Sequence, residues 1–338
     1  MERADNLLKP PSASSLVRLQ PDEAPRFWVT IDTEEDFDWS APFARTGYRL
    51  DSVPALADCQ AYFEAAKVVP IYLVDWPIVT DERAVAILGP ARAAGRCDIG
   101  AQLHPWVTPP HDEEVTAHNS YTGNLSPDLQ RAKMTALRDA IRDRFGAAPT
   151  AYRAGRYGLG PDSAAMLAEL GFRCDTSVRA GFDYRPGHGP DYSAAPLHPW
   201  WVETDGRRLL EMPVTTVFGG LLGPAGRWLY HRTSSNSHAA FARLGLAERI
   251  ALTPEGIPAA KACEAIDIAV DARLPVLNFS FHSPSLQPGN TPYVRTEADL
   301  AAFYRWWDVV LAHLARRGIA PTTTQGILDM AQRDAPAA

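Results

Sequence analysis

A short apolar run, RFWVTID (26–32), ends on Asp32, and Glu34, Glu35, Asp36 and Asp38 follow it before Trp39. Carboxylates that face one pocket raise each other's pKa by repulsion. A bound cation would relieve that repulsion. One carboxylate could then hold the cation while its neighbour accepts a proton. The same run could instead be a solvated acidic loop, or begin a helix whose dipole favours negative charge. His104 stands in Leu103-His104-Pro105-Trp106, directly after the apolar stretch 97–103, and reads as a metal ligand or as a histidine satisfied by a backbone carbonyl. His282 ends PVLNFSFH, in which Asn278, Ser280 and His282 alternate and so share one face of a strand. That polar stripe suggests a wet, functional strand end, against the plainer reading of a buried structural histidine. Arg153 and Arg156 stand in Tyr-Arg-Ala-Gly-Arg-Tyr-Gly, where glycine lets backbone approach a ligand and arginine can grip a carboxylate. An ion pair that anchors the loop is the competing reading.

The elements that must position these groups alternate. Strand-like runs are expected at 26–32, 69–74, 97–103, 150–153, 172–178, 208–217 and 275–281, with a short one near Pro321. Helical spacing is expected at 54–67, at 81–95 (kinked or divided by Pro90), from a Ser126 cap to Gly146, and at 161–171, 259–273, 297–318 and 325–333. A short helical patch is read at 238–249. Residues 104–124, 179–207 and much of 218–258 read as long loops. Strands alternating with helices imply parallel pairing through right-handed crossovers. Seven or so units in this length fit an α/β fold, a (β/α)7–8 barrel that is distorted or incompletely closed, with an open doubly wound sheet as the alternative. In a barrel, strand C-termini crowd one face and build the active site there. Asp32, His104, Arg153, Asp175 and His282 all fall at such ends.

The totals fit. The chain has 338 residues, 46% of them hydrophobic, enough for a large core. A net charge of −7 with no basic run argues against nucleic acid as a partner. No apolar stretch approaches the roughly 20 residues of a membrane helix, and no secretory apolar core is read near the N-terminus, so a cytoplasmic protein is expected. The four cysteines are scattered and read as reduced thiols. Residues 1–24 are expected to be a flexible arm before one domain spanning 25–335. No glycine-rich nucleotide-binding motif follows a strand.

In this order the motifs resemble those of the polysaccharide deacetylase family, the NodB-homology or carbohydrate esterase family 4 type, over residues 26–325. Thr30-Ile31-Asp32-Thr33-Glu34 is similar to the first motif, Asp98 to His104 to the metal-histidine stretch, Tyr152 to Gly158 to the arginine motif, Asp175-Thr176-Ser177 to the element after it, and Leu277 to His282 to the last motif. Phe281-His282-Ser283-Pro284-Ser285-Leu286, with the His-Pro-Trp loop, resembles a WalW-like bacterial branch linked to surface polysaccharides. The resemblance implies Asp32 as general base, Arg153 as its orienting group and His282 as general acid. It implies a divalent metal, zinc, on Glu34 and His104. Trp39, Trp106, Arg156 and Asp175 are then expected to meet a carbohydrate, with Trp76 near the mouth as well. The second motif departs from the family, because Gln102 and Trp106 stand where its metal histidines belong. His111, His118 or a water is left to complete the metal set.

The expected activity is removal of an N-acetyl group from a sugar of a polysaccharide or its precursor. Two rivals remain: a carbohydrate-binding barrel without catalysis, and a glycoside hydrolase using a carboxylate pair such as Glu34 with Glu211. Oligomeric state is left open.

Overall fold

The computed structural model describes residues 6–20, 23–38, 40–223, 225–233 and 235–333. In chain order the elements are β1 (Arg26–Thr33), α1 (Leu56–Ala65), β2 (Ile71–Val74), α2 (Trp76–Thr80), α3 (Glu82–Ala93), β3 (Asp98–Leu103), α4 (Pro127–Phe145), β4 (Ala151–Ala154), α5 (Ser163–Glu169) and β5 (Cys174–Asp175). Then follow β6 (Trp200–Thr204), β7 (Arg207–Glu211), β8 (Thr216–Gly219), α6 (Ala225–Arg232), α7 (Ser235–Arg243), β9 (Glu248–Ala251), α8 (Ala259–Asp271), β10 (Val276–His282), α9 (Glu297–Arg316), β11 (Ala320–Pro321) and α10 (Thr324–Arg333).

The main sheet runs β10-β1-β2-β3-β4-β5-β7-β6, with β11 also beside β1. Every pairing in it is parallel except β6 with β7. Its end strands, β10 and β6, are not hydrogen-bonded to each other, so the barrel is incompletely closed, as the sequence led us to expect. Strands β2 and β4 are buried along their whole length, as a parallel sheet covered on both faces requires.

Helix ends follow local chemistry. Ser126 accepts the Leu129 N–H at the start of α4, Pro127 sits at its first position, and Gly146 closes it at φ 82°. Thr296 and Asp299 form a reciprocal capping box on α9. That helix buries Trp307, whose ring centroid lies 5.2 Å from Phe63 and 5.9 Å from Phe281. α3 stays one helix through Pro90.

Four stretches differ from expectation. The run 208–217 is two strands in different sheets, because Pro213 between them has no N–H to give to a ladder. Strand β6 lies inside the stretch expected to be irregular, paired antiparallel with β7. The patch at 238–249 is the end of α7 followed by strand β9. Residues 6–20, expected within a flexible arm, lie against the domain: Leu7 and Val17 are buried, and the Val17 N–H donates to the Pro199 carbonyl. Among the described residues no helix is long and apolar enough to cross a membrane.

Candidate functional site

Parallel register sets the frame of the site. Asp32 on β1 stands beside His282 on β10, and Gln102 on β3 beside Arg153 on β4. The C-terminal ends of these strands open into a cavity of about 390 Å³ lined by Asp32, Glu34, Gln102, His104, Arg153 and His282, with further residues from the surrounding loops. A second cavity, of about 410 Å³, lies at the other end of β1 around Arg26 and Pro321 and holds none of these groups.

Asp32 is buried and held from one side. Arg153, also buried, donates through Nη1 to Asp32 Oδ1. Its other donors are committed as well, Nε to the Thr176 carbonyl at 3.0 Å and Nη2 to Thr30 Oγ1 at 2.9 Å. A guanidinium fixed at so many points cannot swing away, so Asp32 keeps one oxygen on Arg153 and presents Oδ2 to the cavity side. His282 Nε2 lies 3.7 Å from that Oδ2.

Behind His282 is Glu255. Its Oε2 is 2.7 Å from His282 Nδ1, and its Oε1 accepts the His282 backbone N–H at 3.1 Å and the Ser285 hydroxyl at 2.6 Å. With Nδ1 held by a carboxylate, Nε2 is the nitrogen that faces Asp32. Burial by itself would lower the pKa of His282. The carboxylates of Glu255, Glu34 and Asp32 outweigh it and raise the pKa to about 10.

His104 is placed by a different set. Its Nδ1 is 2.9 Å from Glu35 Oε2, so Nε2 is the nitrogen toward Glu34 Oε2, 3.4 Å away. The Trp106 indole donates to Glu35 Oε1 at 2.8 Å, and its ring stacks on His104 at 4.4 Å. Gly155 lies beneath, where an added Cβ would meet His104 Cδ2 at 2.4 Å. Gln102 Nε2 donates to Glu34 Oε2 at 3.1 Å. Burial pushes the Glu34 carboxyl up to about 8 against the opposing pull of His282 and His104.

Two groupings could take a cation. Glu35, Asp75 and His104 are buried, with donor atoms within 4.8 Å of one another. Neither Glu35 nor Asp75 lines the cavity, and both are engaged, Asp75 by the Ile78 and Glu35 backbone N–H groups. The second grouping is Glu34, Gln102 and His104, all of which line the cavity. There Glu34 Oε1 and Gln102 Oε1 are buried acceptors without hydrogen-bond partners, beside His104 Nε2. Two orphaned oxygens and an imidazole nitrogen suit a divalent cation, so the residues present fit one.

Not every expected residue arrives. Trp106 and Arg156 line the cavity. Asp175 does not: it is buried, accepts from the Ser177 hydroxyl at 2.7 Å, and faces Glu211. Glu211 is equally buried and accepts the Val178 N–H at 3.0 Å, so it cannot partner Glu34 across a sugar. His111 and His118 are exposed and outside the cavity, as is the half-buried Trp76. Trp39 lies outside the described residues. Glu255 and Arg179, by contrast, line the cavity from stretches that sequence reasoning left as loops. The only sequence signal for Glu255 is an acid between Pro254 and Gly256.

No protein-family model matches the chain, and no curated protein does. Solved structures do. A Mycobacterium smegmatis protein assigned as a polysaccharide deacetylase superposes with TM-score 0.52 at 16% identity, over 96% of this chain and 94% of that one. A 4-alpha-glucanotransferase from Thermococcus litoralis superposes with TM-score 0.54 at 13% identity, over 91% of this chain and 40% of that one. A Pseudomonas aeruginosa protein assigned to the polysaccharide deacetylases gives 0.47 at 13% identity, over 90% of each chain. At these identities the likeness is one of fold.

Proposed function

We propose that this cavity removes an acyl group, N-acetyl in the first instance, from a sugar of a polysaccharide or its precursor. The observation that carries the reading is the facing pair Asp32 Oδ2 and His282 Nε2, 3.7 Å apart, each fixed from behind by its own partner. The fold shared with the mycobacterial structure supports it. So do the motif order and the two strings around His104 and His282 that resemble a surface-polysaccharide branch.

Asp32 takes a proton from water at Oδ2, with Arg153 keeping the carboxylate oriented through Oδ1. The hydroxide adds to the acyl carbon. His282 gives its Nε2 proton to the departing amine nitrogen as the carbon–nitrogen bond breaks, and Glu255 stabilises the imidazolium beforehand. Acetate and a free amino sugar result. A divalent cation, zinc by its ligand chemistry, would be held by Glu34, His104 Nε2 and Gln102, and when bound supplies Lewis acidity for the acyl oxygen and the water. The Trp106 ring is buried between His104 and Phe43, so the half-buried rings of Tyr157 and Tyr184 are the aromatic contacts offered to the sugar ring.

Acetate release from N-acetylated oligosaccharides is the direct test, with metal content measured on the same sample. Wild-type release that persists unchanged in Asp32→Asn sinks the assignment of the base. A second reading, carbohydrate binding without catalysis, rests on Gln102 and Trp106 standing in both expected histidine positions, with Trp106 committed to Glu35. Added zinc that neither binds nor raises thermal stability, together with absent acetate release, would favour it.

A further inference from the structure

The mechanism above leaves two cationic groups of the same cavity unused. Arg156 and Arg179 both line it, and among the described residues neither is paired with a carboxylate. This is unusual company for a chain of net charge −7, and the acids of the cavity are spoken for. Asp32 is on Arg153, Glu255 on His282, Glu34 beside His104, and Asp38 accepts from Ser40.

Arg179 has five N–H donors to place. One bond is found for it, a long 3.5 Å contact from Nη1 to Tyr184 Oη, while its Nε is buried with no partner. Otherwise it rests on rings, 4.0 Å from the Phe182 centroid and 5.3 Å from that of Tyr157. A third guanidinium, Arg249, covers Phe182 at 3.4 Å, which adds positive charge behind Arg179 rather than cancelling it. Arg156 is anchored by Nη1 on the Ser120 hydroxyl and lies 4.0 Å from the Tyr121 ring centroid. Its backbone is left-handed at φ 55°, and so is that of Tyr157 at φ 60°. Two consecutive non-glycine residues in that region are costly and persist where the surroundings hold them in place. Tyr184 adjoins both arginines. Half-buried, oriented guanidiniums with free donors beside aromatic faces suit an oxyanion carried on a sugar.

We propose that the substrate is an anionic glycan, whose carboxylate or phosphate docks on Arg156 and Arg179 while its acylamino group reaches Asp32 and His282. This rests on the cavity being the substrate site proposed above, and it adds the charge class of the substrate.

The test is equilibrium binding by calorimetry on the full chain, with two matched pairs of probes. One pair is a tetrasaccharide alternating N-acetylglucosamine and glucuronic acid against its carboxyl-reduced form. The other is N-acetylglucosamine 1-phosphate against N-acetylglucosamine. At least one anionic probe should bind roughly ten- to a hundredfold tighter than its neutral partner, the range expected of charge-assisted hydrogen bonds. The pair that shows the preference identifies the source of the anion. Arg179→Gln and Arg156→Gln should each remove at least tenfold of that preference, read as the ratio of anionic to neutral affinity measured on the same variant. Equal binding of both members in both pairs by the wild-type protein overturns the proposal, with no variant needed. A preference that survives both substitutions overturns it as well. Failure of the deacetylase reading would look different, as anionic preference without acetate release. Release from neutral glycans with no anionic preference would sink this inference and keep deacetylation.

Discussion

Asp32 and His282 sit side by side in register, yet their partners push them toward opposite proton duties. A guanidinium on Asp32 fixes the carboxylate with Oδ2 ready to accept, while a carboxylate on His282 keeps the imidazole charged and ready to donate. Asp32→Asn preserves shape and removes the base, so acetate release should fall by roughly 10² to 10⁴, the usual worth of general-base catalysis. The His282 proton must be present for the amine to leave. Because its pKa is raised to about 10, activity should hold as pH rises and fall only as pH passes through that value. In Glu255→Gln the largest raising influence is gone, so the alkaline limb should move down toward the ordinary histidine range. A pH profile of kcat/KM from 6 to 10 reads this directly. An unmoved limb would remove Glu255 from the dyad.

At the scale of elements, the loop after β3 is the part most exposed to failure, since it carries His104 and Trp106 with no strand or α-helix of its own. Helix α4 holds it. Lys133 is fully buried, and its Nζ donates to the carbonyls of Pro105 at 2.9 Å, Thr108 at 2.5 Å and Pro110 at 2.6 Å, with Glu113 Oε2 at 3.1 Å. One ammonium thus gives its three donors to three carbonyls that would otherwise be orphaned away from water, and forms an ion pair with Glu113. Lys133→Met should cost ~3 kcal/mol, because it leaves a buried charge and several acceptors unpaired. Denaturant unfolding would register that loss. Hydrogen exchange should quicken in the loop before it does in the sheet, and uniform exchange across both would argue that α4 does not clamp the loop.

For the molecule as a whole, the sheet brings distant segments to one rim, and a cation at that rim would tie them together. Glu34 follows β1, Gln102 and His104 come from β3 and its loop, and the three share a wall of the cavity. Zinc bound only by the folded chain, at about a hundred times its Kd, should stabilise it by ~2.7 kcal/mol and raise the thermal midpoint. His104→Ala and Glu34→Gln should each abolish that increment. If the gain survives in Glu34→Gln but not in Glu35→Gln, the cation sits instead in the buried Glu35–Asp75–His104 group.

What the sequence determined by itself was the strand ends. Parallel strands joined by helices must deliver their C-termini to one edge, so Asp32, His104, Arg153 and His282 could be placed together from the alternation of apolar runs and helical spacing. Helix limits such as Ser126 to Gly146 were legible for a local reason, since caps act within one turn. The partners of those residues were decided only by tertiary structure. Glu255 reaches His282 from a Pro-Gly loop 27 positions away, and Arg179 enters the cavity from a stretch with no periodicity. Asp175 had the right neighbours in sequence, yet it turns inward to Ser177 and Glu211. Local spacing cannot encode such choices, because they depend on how loops of no fixed period fold back across the barrel mouth. The metal site carries the same lesson. Gln102 and Trp106 read as losses in the sequence, whereas in the fold Gln102 bonds to Glu34 and Trp106 packs on His104, helping to aim its imidazole at the cavity.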